Sequence, residues 1–135
     1  MRIKFLLFLL CAYPAFAAKL SIQVENVLPK QGKIYVGVFD RENYIHNGKA
    51  TRDTFVNASH VSMVVAFDNI PAGIYSVRIY QDVNNNGILD TGLFGLPIEK
   101  CGFSNNIIPF MGGNPSFEKT RFLVFASDTI HIKLR

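Results

Sequence analysis

One stretch of the sequence, QDVNNNGILDTG at residues 81–92, has the residue types and the spacing that a metal ion needs. Side chains that carry oxygen recur at every second position, and a glycine follows them. Calcium takes about six to eight hard oxygen ligands, and alternate residues of a tightly curled loop can point toward one centre. Glycine allows the positive φ that such a curl requires. The predicted ligands are the side chains of Asp82, Asn84, Asn86 and Asp90 and the backbone carbonyl of Ile88.

This spacing matches an EF-hand-type calcium loop, in which a glycine follows the third ligand, but two features depart from that loop. The position of the usual bidentate glutamate is occupied by Leu93, and the preceding segment, residues 73–81, is typical of a strand and not of a helix. Glu99, a few residues further on, is predicted to fold back as a third carboxylate ligand. Exported modules of this kind bind calcium with dissociation constants of about 10⁻⁴ to 10⁻³ M, so we expect a weak site.

The same stretch is also typical of a plain hairpin turn. Asn and Asp side chains cap nearby backbone amides, and Asn86-Gly87 is a strong signal for a two-residue connection. The sequence leaves both interpretations open.

Catalysis has little support in the sequence. Asp82 and Asp90 are candidates for a carboxylate pair that acts on a glycan. A nucleophilic Cys101 would need a histidine positioned as its base. The histidines show no metal-ligand or catalytic spacing; they are His46, His60 and His131. We therefore expect a protein that is not an enzyme, with a small hydrolase of envelope glycans as a remote alternative.

The N-terminus, MRIKFLLFLLCAYPAFAAKL, has the pattern of a secretory signal peptide. Two basic residues precede an apolar run that is too short to span a membrane, and Ala15-Phe16-Ala17 supplies the small residues of a cleavage site. We predict a signal peptide at residues 1–17, one domain at 18–135, and a periplasmic or secreted location. Cleavage would leave Cys101 as the only thiol, which we expect to be a buried, small apolar residue.

After cleavage, 12 Lys and Arg residues face 10 Asp and Glu residues, which gives a net charge of +2. The basic residues stand singly among apolar ones, so the chain has no nucleic-acid footprint.

The rest of the chain reads as strands separated by turns. Apolar and polar residues alternate with the period of a half-buried strand, and no segment has a sustained helical period, although residues 41–51 allow one helical turn. These features predict an all-β fold, an antiparallel β-sandwich of about seven strands. Ser127-Asp128 is predicted to be the turn of a hairpin between the last two strands. The segments predicted to be strands are 20–25, 33–40, 54–57, 61–67, 73–81, 106–111, 120–126 and 129–135, of which 54–57 and 106–111 are the weakest.

Residues 67–106 resemble the signature block of a bacterial family known as domain of unknown function 2141. The resemblance rests on an F-x-x-I-P-x-G-x-Y strand, the D-x-N-x-N-G-x-x-D loop, and a G-x-P-x-E-x-x-G-F-S-N segment. In this chain those pieces begin at Phe67, Asp82 and Gly95. The resemblance implies an Ig-like or transthyretin-like β-sandwich in a small exported protein of Gram-negative bacteria. It implies no activity.

The hypothesis that follows is a calcium-binding loop that orders the adjacent loop, residues 92–105, for contact with an envelope protein or a glycan. The runner-up is a metal-free structural or envelope-assembly protein that acts through a sheet edge. Phe94 and Phe103 are expected to plug the open end of the sandwich; the alternative is an exposed aromatic pair that contacts a ligand or a partner.

Overall fold

The computed structural model describes residues 17–109 and 113–135. Within these ranges the chain forms eight strands and two short helices, so the all-β prediction is confirmed. The strands are β1 (Ala17–Glu25), β2 (Lys33–Phe39), β3 (Arg52–Asn57), β4 (Met63–Pro71), β5 (Gly73–Asp82), β6 (Cys101–Phe103), β7 (Phe122–Val124) and β8 (Asp128–Lys133). The helices are α1 (Arg41–Ile45) and α2 (Phe117–Thr120). The predicted signal peptide lies outside the described residues except for Ala17, which begins β1.

The strands form two sheets that cover one hydrophobic core, as in an open sandwich. The smaller sheet has the order β4-β1-β8, and the larger has the order β3-β2-β5-β6, with β7 paired to the beginning of β5. The alternation of apolar and polar residues explains the burial, because successive side chains of a strand point to opposite faces. In β1, for example, Leu20, Ile22 and Val24 are fully buried, and the residues between them are not.

The core is made mainly of aliphatic side chains from both sheets. Its largest fully buried members outside β1 are Ile34, Val36, Val38, Ile70, Val77, Ile79, Ile132 and Leu134. Five of these residues belong to β2 and β5, the two central strands of the larger sheet, and β5 ends at Asp82, where the candidate loop begins.

The sandwich is not antiparallel throughout. β1 pairs with β4 in the antiparallel sense but with β8 in the parallel sense, from Leu20 opposite Asp128 to Glu25 opposite Lys133. The predicted hairpin at Ser127-Asp128 is therefore wrong, since β7 pairs with β5 in one sheet and β8 with β1 in the other. This connection crosses between the sheets.

Two weaker predictions had opposite outcomes. The strand at 54–57 is present as β3, whereas 106–111 does not form a strand in its described part, residues 106–109. A 3₁₀ turn at Ser104–Asn106 takes its place, with Asn105 in the left-handed region at φ 60°. The one helical turn allowed between 41 and 51 is α1, which is capped by Asp40 through a hydrogen bond from the Asn43 N–H.

Candidate metal-binding loop and the apolar tip beside it

The loop that follows β5 is curled around the carboxylate of Asp82. This side chain is fully buried, and its two oxygens accept the backbone N–H groups of Asn86 at 3.1 Å and Gly87 at 2.8 Å. Asn85 and Gly87 take left-handed conformations, with φ of 58° and 81°. Such a curl turns alternate side chains toward one side of the loop, which is the arrangement that the spacing predicts.

Three of the predicted ligands meet directly at the mouth of the curl. The Asn84 side-chain amide donates to Asp90 Oδ2 at 2.6 Å, and the Asn86 amide donates to both Asp90 oxygens at 2.9 and 3.0 Å. The amide oxygens face the other way, where they accept the N–H groups of Asn86 and Ile88. The Asp90 carboxylate is thus held by two neutral amide groups.

Glu99 closes the loop from outside. Its Oε1 accepts the Val83 N–H at 2.8 Å, and its Oε2 accepts the Asp90 N–H at 3.0 Å. The Ile98 N–H donates to the Asp90 carbonyl at 3.0 Å. Glu99 therefore lies beside the loop, as its place in the sequence predicts, and what its oxygens contact is the backbone at the two ends of the loop.

The carboxylates Asp82, Asp90 and Glu99 do not converge on one point. Across residues 17–109 and 113–135, no group of three or more His, Cys, Asp or Glu side chains has an arrangement that would hold a metal ion. A cation in this loop would need amide and carbonyl oxygens for most of its ligands. Such a ligand set suits calcium, which accepts Asn and backbone oxygens, better than it suits magnesium, which keeps several of its waters.

The base of the loop rests on the 27–32 segment through two residues that the motif does not include. Gln81 is fully buried; its amide nitrogen donates to the carbonyls of Leu28 and Gln31, both at 2.7 Å, and its oxygen accepts the Leu28 N–H. Gly32 has φ of 67°, and a Cβ atom there would lie 1.8 Å from the Asp82 carbonyl oxygen. The one sequence signal for Gln81 is a polar residue at an inward-facing position of β5.

After the loop, residues 91–98 (TGLFGLPI) project from the sandwich; we call this segment the apolar tip. Its largest side chains lie in solvent: the exposed fractions are 82% for Leu93, 91% for Phe94 and 71% for Ile98. The prediction that Phe94 plugs the sandwich is wrong, whereas Phe103 is buried in β6 as expected. Phe94 also has left-handed φ and ψ of 60° and 21°, which a bulky residue rarely adopts.

The backbone of the apolar tip pairs with itself. The Gly92 N–H donates to the Leu96 carbonyl at 2.8 Å, and the Gly95 and Leu96 N–H groups donate to the carbonyls of Gly92 and Leu93, both at 3.3 Å. A bridge between Thr91 and Pro97 closes the segment. The tip is therefore an ordered turn that lacks a side-chain core of its own.

Cys101 is buried next to the apolar tip, at the start of β6. Burial raises the pKa of its thiol, so the thiolate is scarce at neutral pH. The expectation of a small apolar residue fits this environment.

The outer face of the larger sheet carries a pocket that the sequence does not predict. It is a pocket of about 360 Å³, with Gly37 in its lining and with the parallel rings of Tyr35 and Tyr80, whose centroids are 5.0 Å apart, along one side. Arg78 also lines it, and the buried Nε of that residue has no hydrogen-bond partner among the described residues. Leu89 of the candidate loop contributes to the wall, and the Tyr80 hydroxyl donates to the Gly87 carbonyl at 3.1 Å.

The fold and the loop together define a class: a small β-sandwich with an Asp/Asn-rich loop at the end of a central strand. The profile of domain of unknown function 2141, described as an uncharacterized protein conserved in bacteria, matches residues 22–133, and the chain belongs to this family. No curated protein and no solved structure matches the chain. None of the helices in the described part of the chain has the length and apolar character that crossing a membrane requires.

Proposed function

We propose that this protein is an exported, non-enzymatic module whose 82–90 loop binds one calcium ion weakly and thereby orders the apolar tip for contact with a partner at the cell envelope. The observation that carries this proposal is the convergence of Asn84 and Asn86 on the Asp90 carboxylate, within 3.0 Å. If the side-chain amides of Asn84 and Asn86 each rotated by a half-turn, their oxygens would face the Asp90 carboxylate, and the three groups together would offer oxygen ligands to a cation.

Calcium binding would exchange hydrogen-bond donors for a cation. An Asn side chain can rotate about its last torsion, where the two orientations are nearly equivalent in shape. Rotation of Asn84 and Asn86 would bring their oxygens toward Asp90, an arrangement that is repulsive unless a cation lies between them. The Ile88 carbonyl and the second lone pairs of the Asp82 oxygens would complete the ligand set.

The exchange explains why the affinity would be low. Rotation of the two amides gives up the hydrogen bonds from the Asn86 and Ile88 N–H groups, each worth about 0.5–1.5 kcal/mol. Only Asp82 and Asp90 bring charge to the ion, with Glu99 as a third carboxylate nearby. A dissociation constant of about 10⁻⁴ to 10⁻³ M, which is usual for extracellular sites, fits this loop.

Glu99 and Asp90 would couple the ion to the apolar tip. The Asp90 carbonyl accepts from Ile98, the last residue of the tip, while Glu99 holds both ends of the loop. An ion that fixes Asp90 would therefore fix both strands of the tip where they leave the sandwich. The result would be a contact surface that is held more firmly at extracellular calcium levels than without calcium.

Thermal unfolding tests the proposal. With calcium at one to ten times the dissociation constant, the ion should stabilise the protein by about 0.4–1.4 kcal/mol. For a domain of about 120 residues this raises the Tm by roughly 2–6 °C. The rise should be saturable with calcium, much smaller with magnesium, and absent in Asp90→Asn. Asp68→Asn removes the same charge from an exposed position of β4, so this variant should respond to calcium like the wild type. No calcium-specific rise up to 10 mM would reject the site.

A metal-free role is the second candidate, because the loop already has hydrogen-bond partners for Asp82, Asp90 and Glu99 without an ion. On this reading the loop is a permanent brace and the apolar tip is always in its contact conformation. Unchanged protease resistance of residues 82–98 in EDTA and in calcium would favour it.

A hydrolase role for Asp82 and Asp90 has less to support it. Asp82 is fully buried, and both of its oxygens accept backbone N–H groups, so it is a poor proton donor or nucleophile for a glycan in solution.

A further inference from the structure

We propose that the partner of the apolar tip is an anionic phospholipid bilayer, into whose headgroup region residues 93 and 94 insert. The inference rests on the proposed function in one respect: calcium in the 82–90 loop sets the conformation and the charge of the surface that docks.

The first argument is the exposure of the tip. Leu93 and Phe94 are the outermost side chains of the segment, and Leu96 and Ile98 are also exposed. Contiguous apolar side chains in water are costly unless a partner covers them. Phe94 has a left-handed backbone conformation, which is unfavourable at a non-glycine residue and persists only where the surrounding structure enforces it.

The second argument is the satisfaction of the backbone. Water becomes scarcer toward the hydrocarbon core of a bilayer, so a segment whose N–H and C=O groups pair with one another inserts at lower cost. The tip pairs three of its N–H groups in this way, those of Gly92, Gly95 and Leu96, and its side chains from 91 to 98 carry no charge. An ordinary polar loop would leave these groups to water.

The third argument is the charge at the base of the tip. Lys133 and Arg135 line a shallow cavity together with Leu96 and Pro97, and Lys100 donates to the Asn26 carbonyl nearby. These three cations lie near the base of the tip, and basic residues close to an anionic membrane surface strengthen binding to it. The acidic groups on this side include Asp90 and Glu99 of the loop and Glu25, which lies opposite Lys133 in the β1–β8 pairing and 3.5 Å from His131. Calcium would neutralise the first, and two backbone amides hold the second.

The shape of the tip favours a bilayer over a protein groove. A stable protein interface uses roughly 20–30 residues on each side, whereas the tip is a convex turn of eight residues with two fully projecting side chains. A bilayer needs no complementary shape, because the lipids rearrange around the inserted side chains.

Flotation with lipid vesicles tests the proposal. The wild-type protein should float with vesicles of phosphatidylglycerol and phosphatidylethanolamine (3:7) in 2 mM calcium, and at least tenfold less with vesicles of phosphatidylcholine alone. Phe94→Asn should reduce the partition coefficient about tenfold or more, because a buried Phe side chain accounts for at least that factor. Asn accepts left-handed φ readily, so this variant should keep the Tm of the wild type or exceed it. Phe125→Ser, at an exposed phenylalanine elsewhere, is the matched control and should float like the wild type.

The outcomes separate this inference from the calcium proposal. Equal flotation of the wild type and Phe94→Asn would overturn the bilayer inference. So would a calcium-dependent Tm with no flotation at all, a result that leaves the calcium site in place. Flotation that depends on Phe94 but is the same in EDTA and in Asp90→Asn would support the bilayer and reject the calcium control of docking. Self-association that depends on Phe94 in sedimentation experiments without lipid would place a second copy at the tip and would also overturn the inference.

Discussion

Replacing Glu99 by alanine should destabilise the protein by removing the brace between the two ends of the 82–90 loop. The carboxylate accepts two backbone N–H groups, from Val83 at 2.8 Å and Asp90 at 3.0 Å, in a partly buried setting. A hydrogen bond to a charged group contributes about 1.5–3 kcal/mol, and partial exposure places each of these at the lower end of that range. The expected loss is therefore about 3 kcal/mol. Glu99→Gln keeps one acceptor oxygen and should lose about 2 kcal/mol.

Urea unfolding and thermal unfolding, both followed by circular dichroism, measure these losses. About 120 residues unfold with an entropy of roughly 250 cal/mol/K near the midpoint, so a loss of 3 kcal/mol lowers the Tm by about 12 °C. The matched control is Glu42→Ala. Glu42 is exposed, and its ion pairs with Arg41 and His46 are long, at 3.9 and 3.6 Å, so this change should leave stability close to that of the wild type.

If Glu99→Ala and Glu42→Ala have the same free energy of unfolding, Glu99 does not stabilise the loop in the way described. A second informative result concerns where the loss appears. If the loop opens locally before the sandwich unfolds, amide exchange at 82–98 accelerates while the global midpoint moves less. Unchanged exchange together with an unchanged midpoint would show that Glu99 does not hold the loop.

Two further predictions concern residues beside the loop. Cys101 should react with a thiol reagent at least tenfold more slowly in the native protein than in urea at pH 8. Because burial raises the pKa of its thiol, labelling of the native protein should become faster only as the pH rises further. Equally fast labelling of the native protein at pH 8 would show an accessible thiolate. Gly32→Ala should destabilise the protein by about 2–4 kcal/mol, from left-handed strain and a 1.8 Å contact with the Asp82 carbonyl; Gly113→Ala, where a Cβ meets nothing within 4 Å, is the control, and equal unfolding midpoints for the two variants would contradict the packing described here.

Most of the fold could be predicted because apolar alternation reports which face of a strand is buried. Leu20, Ile22 and Val24 show the pattern clearly, and they lie in the core. Alternation does not report the strand's partner. Ser127-Asp128 is a good turn, but the strands on either side of it belong to different sheets, and the parallel pairing of β8 with β1 brings together residues about 108 positions apart. Nothing local in the sequence encodes that pairing.

The candidate loop was predicted at the level of spacing and not of contacts. The alternation of Asp82, Asn84 and Asn86 indicates a curl with side chains on one side, and the curl is present. That the Asn amides donate to Asp90, or that Glu99 accepts from the backbone, depends on how the 97–99 segment returns to β5. This return is a tertiary feature, so residue spacing alone could not give it.

The sequence favours a buried Phe94 over an exposed one for a physical reason. A lone phenylalanine in a loop usually packs beneath it, since burying the ring is favourable. Here the turn at 92–96 is held by backbone hydrogen bonds, and the loop below it is closed by Glu99, so no side chain is needed as a core. The glycines on either side, at 92 and 95, were the only signal that the ring stands at the apex of a tight turn.

The most direct test of the calcium-binding loop is a calcium titration of the ¹⁵N-labelled protein followed by NMR. We expect saturable shifts confined to residues 82–99, with the side-chain amide signals of Asn84 and Asn86 moving because their nitrogens leave Asp90. Magnesium should produce much smaller shifts at the same sites, and calcium should produce no such shifts in the Asp90→Asn variant. A spectrum that does not change up to 10 mM calcium, or shifts spread evenly over exposed carboxylates, would show that the 82–90 loop does not bind calcium specifically. The loop would then be a turn held by hydrogen bonds alone.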